Sequence, residues 1–102
     1  MINMSVRTTA KTESHTIRSG ETLYIETQVP EGGALISGGG LCKDFPVDSA
    51  GNYVLKSSYP IYMTDGTQKW VCAWTNTYDH THPQTVQFTV WAVYIAFDPS
   101  AL

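Results

Sequence analysis

Gln68-Lys69-Trp70-Val71-Cys72-Ala73-Trp74, followed after a polar break by the run Thr85 to Phe97, decides the fold. Both stretches are rich in aromatic and β-branched residues and read as long strands at the heart of a small all-β domain. Strand side chains alternate, so Gln87, Thr89, Trp91, Val93, Ile95 and Phe97 share one face. Phe88, Val90, Ala92, Tyr94 and Ala96 share the other. After Val90 both faces are apolar, the pattern of a strand covered on both sides. Trp70 and Trp91 are assigned to the core, and Trp74 is left open between the core and a binding loop.

Working outward, Glu21 to Val29 alternates cleanly, with Leu23, Ile25, Thr27 and Val29 on one face. Ala34 to Ser37 reads as a short buried strand ended by Gly38-Gly39-Gly40. Tyr53 to Tyr59 is a strand limited by Pro60. Thr64-Asp65-Gly66-Thr67 is a hairpin signal, because Asp-Gly supplies the positive φ that tight turns need. Residues 5 to 18 alternate weakly. The expectation is a single domain over residues 1–102, an antiparallel β-sandwich of about seven strands, with residues 1–20 an edge strand or an arm exchanged between copies.

Composition narrows the function classes. The six basic residues are scattered and the net charge is −3, so nucleic acid is disfavoured as a partner. No apolar run reaches membrane-spanning length, and neither an exposed apolar patch nor an amphipathic segment is visible, so membrane insertion is not expected. The start lacks the regions of a signal peptide, and synthesis in the cytoplasm with surface or extracellular action is expected. Cys42 and Cys72 are the only cysteines. Whether they form a bridge stays open here, since the redox compartment decides it.

The glycine triplet lacks the lysine and hydroxyl spacing of a phosphate loop, and a bulge or close backbone approach is expected instead. His80-Thr81-His82 puts two imidazoles on one side of an extended segment, beside Asp79. His80 and His82 are therefore candidate ligands for a divalent metal, although a complete structural site needs four donors. No other cofactor is implied. No nucleophile-elbow motif surrounds any serine, and no carboxylate pair sits in a recognisable setting, so the chain is read as non-enzymatic. Recognition fits better. Trp74, Asn76, Tyr78, Asp79 and His80 mix aromatic and polar character along a loop, and Tyr59, Tyr62 and Asp65 join them if the preceding hairpin lies at the same end. Such a mixture suits sugars, whose C–H faces pack on rings and whose hydroxyls need paired donors and acceptors.

Ile36-Ser37-Gly38-Gly39-Gly40, Ser58-Tyr59-Pro60, Trp70, Asn76 and Thr89-Val90-Trp91-Ala92-Val93-Tyr94 form an ordered series. That series resembles small bacterial and phage surface domains found at the ends of fibrous or collagen-like proteins, most without an established function. This chain departs from them in having no cysteine at the end of the last strand. Trp70 to Asn76 and Val90 to Ala96 are also similar in layout to the last two strands of H-type lectins, six-stranded sandwiches that form trimers and hexamers. The proline-started central strand of that family is not recognisable here. The resemblances imply a sandwich that assembles into homo-oligomers, with a trimer expected. The combined expectation is a lectin-like adhesion module that binds glycans, multivalent through homo-oligomerisation. The alternative is a trimerisation or decoration domain of a phage tail fibre, capsid or surface stalk with no small ligand.

Overall fold

The computed structural model describes residues 3–44, 53–77 and 85–98. Six strands occur among them: β1 (Asn3–Thr16), β2 (Thr22–Gln28), β3 (Ala34–Asp44), β4 (Tyr53–Tyr62), β5 (Gln68–Asn76) and β6 (Thr85–Asp98). They form two antiparallel three-stranded sheets, ordered β1-β6-β3 and β2-β5-β4. The two apolar runs, β5 and β6, are thus the central strand of each sheet. The strands are fewer and longer than the expected seven, because two stop signals do not stop anything. β3 continues through Gly38-Gly39-Gly40, and β4 continues through Pro60. Proline is tolerated there because β4 lies at a sheet edge, where an unmade ladder bond is free.

The glycines have a side-chain explanation. A Cβ on Gly38 would lie 2.2 Å from Cγ of Trp70, and one on Gly40 would lie 2.7 Å from Sγ of Cys72 and 2.8 Å from the Trp74 ring. A Cβ on Gly39, pointing the opposite way, would meet Trp91 at 2.7 Å. The triplet is therefore the flat track on which three indoles lie. The bulge in β3 falls just before it, between Leu35 and Ser37.

The sheets face each other across a shared core. Ile17, Ile25, Tyr53, Cys72 and Trp74 meet Val86, Phe88 and Val90 in one cluster, and Val29, Ala92 and Tyr94 form a second. Trp70 packs against both. Phe88 is the hub: its ring centroid lies 5.0 Å from that of Trp74 and 5.7 Å, edge-on, from Tyr53. Cys42 and Cys72 both reach this core and are not joined in a disulfide. Burial, partly offset by the Ser58 hydroxyl, raises the pKa of the Cys72 thiol.

Register is pinned by polar pairs as well as by packing. Hydroxyl pairs Thr12–Thr89, Thr16–Thr85 and Thr22–Thr75, each within 2.9 Å, sit on directly opposed residues. β1 and β6 pair over 14 residues, a ladder longer than any strand of the second sheet. The radius of gyration is 16.4 Å, against roughly 13 Å for a compact chain of this length. The excess comes from the projecting β1–β6 ribbon, in which β1 is exposed on both sides from Asn3 to Thr8.

Candidate functional site

The residues singled out in the sequence do not converge. Tyr78, Asp79, His80 and His82 lie outside the described residues. Trp74 and Asn76 are corrected from surface to core, at 2% and 1% exposure. The reason is parity: with Trp70 and Cys72 they occupy the face of β5 that meets the other sheet. Asn76 is a structural pin. Its Nδ2 donates to the Ile17 carbonyl (2.8 Å), its backbone N–H donates to the Glu21 carbonyl (3.1 Å), and its own carbonyl accepts from Gly20 (2.8 Å). One residue thereby fastens the β1–β2 turn, whose Gly20 has φ 81°.

Tyr62 and Asp65 sit at the opposite end of β5 from Asn76, because the β4–β5 hairpin precedes Gln68. The expected single cluster is therefore split along the length of a strand. Tyr62 is exposed at the end of β4. The Asp65 carboxylate accepts the Thr67 backbone N–H at 2.9 Å, which with the Thr67 hydroxyl holds its pKa below the usual value. Asp65 lines a cavity of about 230 Å³ between the Gln28–Gly33 turn and this hairpin. Its polar groups are largely spent internally. Gly33 donates to the Pro30 carbonyl and Gly66 to that of Met63. The Gln68 amide bridges the sheets, accepting from Leu35 N–H and donating to the Gly33 carbonyl.

Among the described residues no group of three His, Cys, Asp or Glu side chains could hold a metal ion. His15 instead contacts the Glu13 carboxylate at 2.7 Å, with Lys11 on its other oxygen at 3.1 Å.

A different arrangement appears on the outer face of β2-β5-β4. Register places Tyr24 opposite Ala73 and Glu26 opposite Val71 on one side, and Ser57 and Tyr59 opposite the same two residues on the other. Val71 and Ala73 are buried although they point away from the core. They are covered by their neighbours, at 3% and 1% exposure, and two exposed rings, Tyr24 (64%) and Tyr59, flank them. The rings rise from strands two spacings apart, about 10 Å across the sheet. Beside them Lys69 Nζ donates to Glu26 Oε1 at 2.8 Å, and at the other end lies the Thr22–Thr75 hydroxyl pair. Sequence reading places Tyr59 with the hairpin and misses its grouping with Tyr24, because the two are 35 residues apart and meet only through β5. The alternation of β2, which sends Leu23 and Ile25 inward and Tyr24 outward, was the available signal. No family model, curated protein or solved structure matches this chain.

Proposed function

We propose that the chain is a small non-catalytic β-sandwich module that recognises saccharides on the outer face of β2-β5-β4. The observation that carries this reading is the pair of exposed tyrosines flanking the buried Val71 and Ala73, next to the Glu26–Lys69 ion pair. Pyranose C–H faces stack on phenol rings, while sugar hydroxyls donate to the carboxylate and accept from the ammonium. Two rings and one ion pair make a small contact, so each copy binds weakly, and avidity from several copies supplies useful affinity. This moves the recognition surface from the segment after Asn76 to a rigid sheet.

A glycan array probed with labelled wild type, Tyr24→Ala and Tyr59→Ala tests the reading. The expected result is selective binding by wild type and a loss of at least about tenfold in each variant, the equivalent of ~1.4 kcal/mol per ring. Tyr24→Ala leaves the unfolding midpoint in place, because an exposed side chain away from the core changes stability by only about 0.5 kcal/mol. Binding equal in all three proteins places recognition elsewhere. No glycan bound by wild type favours the ligand-free decoration or trimerisation domain.

A further inference from the structure

The outer face of β1-β6-β3 has an unusual composition for a surface turned to water. β6 contributes Trp91, Val93, Ile95 and Phe97, and β1 contributes Met4 and Val6 directly opposite Phe97 and Ile95. Met4 and Val6 are 67% and 69% exposed, and Leu41 on β3 is exposed as well. An antiparallel sheet with one solvated face is normally polar on that face. β1 inverts the rule. Its opposite side carries Arg7, Lys11 and Glu13, while Met4, Val6 and Ala10 point away from the second sheet. The only charged side chain described on the outer face is Lys43, at one end, opposite Gln87.

We infer that this face is a self-association surface whose partner is a second copy of the chain, packed face against face about a twofold axis. Size supports the choice. From Met4–Phe97 to Thr89–Leu41 across three strands, the apolar zone covers on the order of 400–500 Å², using ~3.4 Å per residue and ~4.8 Å per strand. That is the size of the largest apolar patch a monomer leaves exposed, about 300–600 Å². Two such faces come to roughly 800–900 Å², and the threonine rims beyond them bring the total near the ~1,000 Å² that a stable interface needs. Charge supports it too. A chain of net charge −3 repels its copies in general, but this face brings no acids together, so it meets itself without penalty. Two twisted sheets stack at about 10 Å with strands near 30° apart, the aligned packing that flat apolar faces adopt. This surface lies on the opposite side of the molecule from Tyr24 and Tyr59 and does not depend on the saccharide reading. The pair would present two tyrosine faces outward, in opposite directions.

Sedimentation equilibrium of the full chain tests it at micromolar concentrations, alongside Val6→Lys, the double variant Val6→Lys/Phe97→Lys, and Tyr24→Lys as a control on the other face. The inference expects twice the 11.3 kDa chain mass for wild type and Tyr24→Lys. It expects self-association weakened by at least about 100-fold in the double variant, which buries unpaired charges in the contact. Val6 and Phe97 are exposed in the single chain, so the circular dichroism spectra of both lysine variants should match wild type, while the thermal midpoint of the double variant falls to that of wild type diluted to its monomeric concentration. A monomeric wild type overturns the inference, as does a double variant that associates as wild type does. A monomer that floats with neutral phosphatidylcholine vesicles overturns it in favour of a lipid surface.

Discussion

Replacing Gly38 with alanine lowers the unfolding free energy by about 3 kcal/mol, the upper range for overpacking a core. The added methyl would lie 2.2 Å from both Cγ and Cδ2 of Trp70. That indole has little room to retreat: it packs against both core clusters, and its Nε1 donates to the Ser58 hydroxyl at 2.9 Å. Alanine regains roughly 0.5–1 kcal/mol of backbone entropy over glycine, far too little to offset displacing a core ring. Gly39→Ala is the internal comparison. Its methyl meets Trp91, which stands on the outer face with solvent beside it and can tilt away, so the cost stays below about 1 kcal/mol in the isolated chain. Urea unfolding followed by tryptophan fluorescence reads both. With a slope of about 1–3 kcal/mol per molar, Gly38→Ala shifts the midpoint by more than ~1 M. Trp70→Phe, with its smaller ring, recovers part of the loss when combined with Gly38→Ala. Equal shifts for Gly38→Ala and Gly39→Ala would contradict the assignment of opposite faces.

Asn76→Ala costs about 3 kcal/mol, by a different route. The substitution removes the Nδ2 donor and leaves the Ile17 carbonyl without that partner at a buried position. An unsatisfied buried group costs about 1–3 kcal/mol, and the vacated volume adds a cavity term. The two backbone bonds of residue 76 remain, which keeps the β1–β2 turn formed but looser. Asn76→Asp separates hydrogen bonding from packing. The new carboxyl is buried, so its folded-state pKa lies above the ~3.9 of an unfolded chain. In its protonated form it can donate to Ile17 as the amide does. The stability it supports is therefore present below about pH 4 and lost as pH rises. Chemical unfolding at pH 4 and pH 7 should show the Asn76→Asp deficit growing with pH, while the Asn76→Ala deficit stays flat.

Several features are legible in the residues. The alternation from Leu23 to Val29 marks the inward face of β2, and Asp65-Gly66 marks a hairpin whose Gly66 has φ 92°. The all-β class follows from β5 and β6. What fails does so because it depends on residues distant in the chain. Gly38-Gly39-Gly40 looks like a stop until Trp70, Trp74 and Trp91 are placed above and below it. Pro60 looks like an end until β4 is known to be an edge. Trp91 looks like core, yet the inner side of β6 is taken by Phe88, Val90 and Ala92. Asn76 looks like a ligand contact, because nothing local shows its partner 59 residues earlier. Asp65 and Asn76 look like neighbours of one site until β5 is laid between them.

The central claim is that the outer face of β2-β5-β4 recognises saccharides, and amide NMR tests it directly. Isotope-labelled protein titrated to millimolar levels with glucose, galactose and N-acetylglucosamine in turn should show saturable shifts for at least one sugar, centred on Tyr24, Glu26, Tyr59 and Lys69. Residues Trp91, Val93 and Ile95 should stay still. Shifts centred on Tyr78 and Asp79, or no shift with any of the three, would contradict the account.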